Sequence, residues 1–310
     1  MDFGITLPAG KPFDAVAMGL NAVDHLIIAP RYPAFNTKVP YKSHRLAAGG
    51  QCATAMVALS RLGLRTRYIG KVGDDAIGRF QIESIVSEGV AADIAVVEGA
   101  ETQTAFIIVD EPSGERTILW NRDPDIATRP EEVDRDAVTS GRVLHLDGHD
   151  VDAAIVAAGY ARAAGVPTVL DIDNIYPNAE RLLPLIDFMI SSSTFPARMT
   201  GESDLRTALR QLAEKNGSLV TGATLGADGV LIYLRGEFIH SPAFAIDCQD
   251  TTGAGDAFHA GFIYGMLTEM TVEETLRFAN VTAALKCCAV GARTGLPTLD
   301  QATAFLRSRA

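Results

Sequence analysis

The sequence predicts an α/β fold: a mainly parallel central sheet with helices on both faces, and a small β-sheet added to it. Three observations predict this. From residue 142 onward, apolar strand-like runs alternate with helical stretches, the βαβα order that builds a parallel sheet. The stretch 250–261 reads as a glycine-rich turn opening a helix. Residues 104–109 and 115–120 flank Glu111-Pro112-Ser113-Gly114, a hairpin signal inside an otherwise α/β chain. The 310 residues, 47% hydrophobic and 21% charged, suffice for one large domain with a full core.

Taken in order, residues 14–19 read as a first buried strand, and a second apolar run follows at 25–29. Residues 30–48 are rich in proline, then polar and basic, and fit short strands and turns. Gly49 and Gly50 open a helix to about Leu62, with Ala55, Val57, Ala58, Leu59 and Leu62 at helical spacing. Residues 68–78 give a strand, a turn and a helix. Strands at 142–146, 167–170, 188–190 and 219–221 follow, with helices to Gly165 and over 203–215. Residues 276–287 form a buried helix, and 300–307 a short amphipathic one. Ligands of such sheets bind beyond the carboxyl ends of the strands. That places Asp147, His149, Asp171 and Asp173 at the binding end by chain order alone, although His149 serves equally well as a capping or turn residue.

Composition excludes some partners. The net charge of −11 argues against nucleic acid or an anionic membrane. The opening residues lack a basic segment followed by an apolar one, and no apolar run is long enough to span a bilayer. Cys52, Cys248, Cys287 and Cys288 form no C-x-x-C, which suits reduced thiols. A cytoplasmic location is therefore expected.

The chemistry centres on Asp250-Thr251-Thr252-Gly253-Ala254-Gly255-Asp256. A glycine turn at a helix start aims free backbone N–H groups at one point, and the helix dipole adds positive charge there. An acid in that first turn is positioned to accept the proton of an attacking hydroxyl. A plain helix cap explains a lone G-x-G, but this string is longer and more restrictive. It resembles, almost letter for letter, the C-terminal signature of the ribokinase/PfkB family of carbohydrate kinases. The resemblance runs over roughly residues 13 to 300. It takes in Gly19 with Asp24, Gly49-Gly50-Gln51, the 62–78 segment, Thr224–Val230 and the helix and loop to Pro297. The 250–297 segment is most similar to the ketohexokinase and sulfofructose-kinase branch.

The resemblance implies a ribokinase-like three-layer sandwich, one domain over 1–310, with a β-lid formed by about 24–48 and 102–122. It implies ATP-dependent phosphorylation of a sugar hydroxyl, with a ketose as the expected acceptor and ATP and Mg²⁺ as cofactors. Carried over by position, Asp256 is the base, and the amides of Gly253, Ala254 and Gly255 form the anion hole. Asp24, Gly49, Gly50 and Gln51 contact the sugar. A carboxylate such as Asp24 accepts hydrogen bonds from two vicinal hydroxyls; read alone it is an ordinary turn residue between two strands, and the rest of the signature makes it a sugar contact. Asn21, Lys38, Thr104, Asn121, Arg122 and His149 are further substrate candidates. Thr224, Gly226, Gly229, Thr252 and Asn280 belong to the nucleotide side. Asp250 and Thr252 stand where relatives often hold a monovalent cation such as K⁺.

Two departures are visible. Many relatives have Asn or Lys at the position of Gln51. Ser192 and Phe195 stand where many carry an Asn-x-x-Glu motif that organises Mg²⁺. The alternatives are a nucleoside or sugar-phosphate kinase of the same fold, or a sugar-binding sensor without turnover. An exposed lid edge leads us to expect a homodimer through the lid.

Overall fold

The structure is a computed structural model and describes residues 1–113 and 116–309. Gly114 of the expected hairpin turn and Glu115 of its second arm lie outside the described residues, as does Ala310. The strands are β1 (Phe13–Met18), β2 (Ala22–Ala29), β3 (Ser43–Gly49), β4 (Thr66–Gly73), β5 (Ala91–Val97), β6 (Thr104–Asp110), β7 (Arg116–Asn121), β8 (Gly141–Leu146), β9 (Thr168–Ile172), β10 (Phe188–Ser192), β11 (Val220–Thr224), β12 (Val230–Leu234) and β13 (Glu237–Ser241). The helices are α1 (Gln51–Arg61), α2 (Ala76–Val86), α3 (Arg135–Val138), α4 (Val151–Ala163), α5 (Ala179–Leu182), α6 (Phe195–Thr200), α7 (Leu205–Asn216), α8 (Ala254–Leu267), α9 (Val272–Cys287) and α10 (Leu299–Ser308).

Among the described residues, nine strands form one sheet in the order β13-β12-β11-β10-β9-β8-β1-β4-β5. Pairing is parallel from β5 to β11, and β12 and β13 close one edge antiparallel. Both faces are buried, as a parallel sheet requires. Along β1, Ala15 and Ala17 pack with α1, α8 and α9, while Val16 and Met18 pack with α4 and α5. The chain leaves β1 on one side through β4 and β5, then returns on the other at β8. The crevice beyond the carboxyl ends of β1 and β8 is thus the switch point where such sheets bind ligands.

β3-β2-β6-β7 make a separate four-stranded sheet. Leu26 and Ile107 on its inner side pack near Val290. The hairpin of β6 and β7 is antiparallel, as the sequence signal predicts. Three strands are not anticipated by the sequence reading. β5 is an edge strand whose residues are largely exposed or half-buried although all but Asp93 are apolar. β12 and β13 pair around Arg235 and Gly236, both at positive φ.

Candidate active site

A cavity of about 670 Å³ opens at the switch point, between the main sheet and the small one. Asp24, Gly50 and Gln51 line it, and so do Thr252, Gly253, Gly255 and Asp256. His149, Asp171, Asp173, Tyr176 and Ser192 line the wall formed by the carboxyl ends of the strands, and Thr224 lines it further along.

The first of these groups is built by a glycine pair. Gly50 precedes α1 at φ 91, where a Cβ would meet the Asn21 Cα at 2.3 Å. Only glycine enters the helix this way. Gly49 leaves room for the Asp24 carboxylate, which a Cβ would approach to 2.7 Å. Asp24 is a residue of β2, flanked in register by Ala47 and Ala105 with Trp120 beyond. Its small neighbours leave the carboxylate open to the cavity. Burial pushes its pKa up to about 6, opposed by Arg293 and supported by Asp250.

Arg293 braces this group from far along the chain. Its guanidinium is buried and donates to the Gly49 carbonyl (2.7 Å), to the Ser84 hydroxyl (3.0 Å) and to the Thr54 hydroxyl (3.3 Å). Arg61 in turn donates to the Arg293 and Leu296 carbonyls and pairs with Glu88.

The second group is the start of α8. Gly253 sits at φ 78, and a Cβ there would come within 2.8 Å of the Ala292 carbonyl. Gly253 and Gly255 face the cavity. The Ala254 N–H is spent on the Thr251 carbonyl (3.1 Å), so the expected three-amide anion hole has two of its members open to the cavity. Burial, and then the neighbouring Asp171 carboxylate, push Asp256 well above the usual carboxylate range; His259 and Arg293 pull the other way. His259 links the two acids' surroundings, with Nδ1 3.3 Å from Asp171 Oδ2 and 2.9 Å from the Gly255 carbonyl, and Nε2 3.0 Å from the Ile190 carbonyl. A carboxyl whose proton affinity is raised above the usual range suits a general base.

His149 stands in the cavity, its Nδ1 3.1 Å from the Tyr176 hydroxyl and its ring edge-on to Trp120. Asp147 fixes it from below by accepting the His149 and Leu20 N–H groups.

Several expected contacts take other roles. Asn21 is buried and donates to the Tyr68 hydroxyl and the Lys71 carbonyl, because only its neighbours Leu20 and Ala22 face the cavity. Lys38 is exposed in the β2–β3 connection, off the cavity. Arg122 is held by Asp150 through two hydrogen bonds of 2.8 and 2.7 Å, so its charge is spent there. Thr104 and Asn121 fall one residue out of phase with Gln103, Ala105 and Trp120, which line the cavity, and strand alternation turns them to the other side. Gly226 and Gly229 form the tight β11–β12 connection but do not line the cavity. Asn280 donates to Ser241 and to the Pro242 carbonyl, tying down the end of β13. The Asp250 oxygens expected beside a monovalent cation already take hydrogen bonds from the protein. The carboxylate accepts from Thr252 N and Oγ1 and from Gly291 N, and the carbonyl accepts from Lys286.

Among the described residues, the lysine or arginine that lines the cavity is Arg116, on β7. It donates to the Thr251 hydroxyl at 2.6 Å and so joins the small sheet to the α8 turn. The sequence reading names Arg116 only as part of a strand. Its place among alternating residues that face the cavity, with Ile118 and Trp120, is the signal that marks it.

The model of the pfkB family carbohydrate kinases matches residues 15–299. An ATP-dependent ribose-1-phosphate kinase from Halopiger xanaduensis is 32% identical over 90% of this chain and 93% of its own. A fructokinase from Klebsiella pneumoniae is 31% identical over 81% of this chain and 89% of its own. The structure of an Arabidopsis thaliana ribokinase complexed with ribose and ATP superposes with a TM-score of 0.83 at 25% identity, covering 95% of this chain and 99% of that one. The architecture is the ribokinase-like α/β fold, and this chain belongs to the pfkB family of carbohydrate kinases.

Proposed function

We propose that this chain transfers the γ-phosphoryl group of ATP to a hydroxyl of a monosaccharide, a ketose by the likeness of its 250–297 segment, with Asp256 as the general base. One observation carries the reading: a single cavity is lined both by Asp24, Gly50 and Gln51 and by the α8 turn with Asp256. In this reading the whole chain works as one domain, and the small sheet with its flanks, about 24–48 and 102–122, is a lid. Asp24 and Gln51 hold sugar hydroxyls. Asp256 takes the proton of the attacking hydroxyl, and the Gly253 and Gly255 amides meet the charge that develops on the transferring group. Arg116 adds a positive charge on the lid side. Thr224 and the Gly226–Gly229 turn border the nucleotide.

Mg²⁺ bound with the nucleotide would supply charge neutralisation. Among the described residues no cluster of three or more His, Cys, Asp or Glu forms a cage for a metal. That fits an ion held mainly by phosphates and water, and Asp173 is the open carboxylate on that wall that would hold it.

A second reading, a sugar phosphate as acceptor, is favoured by Arg116 and by the named activity of the Halopiger relative. ADP release with Mg-ATP across neutral sugars, sugar phosphates and nucleosides separates the readings. Asp256→Asn is expected to cost about 10²- to 10⁴-fold in turnover with the fold intact. Wild-type turnover in that variant removes Asp256 from the mechanism. Sugar binding without ADP release by the wild type makes the chain a sensor.

The lid's outer face supports a homodimer. Leu46, His25, Phe106 and Leu119 form one row across β3, β2, β6 and β7. Phe106 and Leu119 are 45% and 58% exposed, and a second copy would cover them. A monomeric mass in solution removes this expectation. The four unpaired cysteines suit the reducing cytoplasm in which we place the chain.

A further inference from the structure

Lys286 is wholly buried, with 0% of its surface exposed, in the last turn of α9. A buried lysine needs a reason, because removing an ammonium from water is costly unless oxygens replace the water. Its Nζ donates to the Asp250 carbonyl at 2.8 Å. Around that bond the turn is stapled to the end of α9, since Gln249 and Asp250 both donate their N–H groups to the Cys287 carbonyl. The Asp250 carboxylate then holds Thr252 on one oxygen and Gly291 on the other. Three residues after Asp250, Gly253 abuts Ala292 and α8 begins. A positive charge at a helix C-terminus is favourable, and here it also fixes the carbonyl of the residue that starts the α8 turn.

We propose that the Lys286 ammonium takes the place of a monovalent cation beside Asp250, so that the α8 turn is held in its working geometry without K⁺. Lys286 is then a positioning residue. It acts on Asp250, and through residues 251–253 on the amides and on Asp256. A lysine suits the task as a compact point charge on a stem that packs in the core.

The test compares wild type, Lys286→Ala and Lys286→Met in potassium, sodium and choline chlorides at matched ionic strength. Melting temperature and ADP release are both read. Only the kinetic arm rests on the phosphotransferase reading; the thermal arm stands without it. The wild type should melt at the same temperature in potassium as in choline, and its turnover should agree within about twofold. Lys286→Ala leaves a hole beside the Asp250 carbonyl. In choline it should lose about 10- to 100-fold in turnover, the scale of a small misplacement of catalytic groups. Potassium should restore most of that loss and raise the melting temperature. Lys286→Met fills the hole without a charge and should stay slow in every salt, a difference that a purely structural role would not produce.

The inference is overturned if potassium raises wild-type stability or turnover well above choline, or if Lys286→Ala matches wild type in choline. If neither variant folds, the wild-type comparison decides alone.

Discussion

α1 and α8 both begin at a glycine in the left-handed region, and both present their first turn to the same cavity. What stands behind them differs. Behind α1 is the guanidinium of Arg293, which fans out to one carbonyl and two hydroxyls. Behind α8 is the single ammonium of Lys286, which holds one carbonyl. Their acids differ as well. Asp24 faces α1 from a neighbouring strand, whereas Asp256 lies within the first turn of α8. In the function proposed above, the α1 side would accept hydrogen bonds from neutral hydroxyls and the α8 side would meet negative charge with amides.

After the turnover loss expected for Asp256→Asn, the largest effect should come from the α1 side. Arg293→Met leaves the Gly49 carbonyl and two hydroxyls without their donor, and should cost roughly 3–5 kcal/mol of stability. Urea denaturation measures it, and an unchanged midpoint would mean that the brace is incidental.

Asp24→Asn should act in the opposite direction on stability. Because the folded pKa of Asp24 is raised from 3.8 to about 6, the folded state binds the extra proton between these values. Stability from this group is full below about pH 4 and lost as pH rises through 6, an effect of up to about 3 kcal/mol. The variant should therefore be more stable than wild type at neutral pH and equal to it near pH 4, while binding sugar less well. Identical pH profiles of unfolding for the two proteins would contradict the assignment. The smallest effect on stability is expected for Arg116→Ala. This exposed residue should change the melting temperature little but raise an apparent KM about tenfold, the worth of one charge-assisted hydrogen bond. If KM for a sugar phosphate rises and KM for ATP does not, Arg116 serves the acceptor.

How legible each side was in the sequence follows from where its parts lie. The α8 turn compresses its glycines and its acid into seven consecutive residues, and the Gly49-Gly50 pair is equally local, so both could be read directly. The alternation of strands and helices placed Asp171 and His149 at the binding end for the same reason. Arg293, Arg116 and Lys286 were not legible. A buried cation has no local mark, and the partners of Arg293 lie up to 244 residues away. Lys38 and Arg122 misled because a basic residue near a lid looks available until its partner, Asp150 in the case of Arg122, is known. Thr104 and Asn121 were one residue off, an error that a period of two turns into the opposite face.

The long reach of Arg293 has a consequence for how the molecule is made. Gly49, Thr54 and Ser84 leave the ribosome long before the side chain that ties them together. At about 5–20 residues per second, the interval is on the order of tens of seconds. Throughout it the part of the cavity around Gly49 and Gly50 lacks its central brace, and it is completed only once residue 293 has been made.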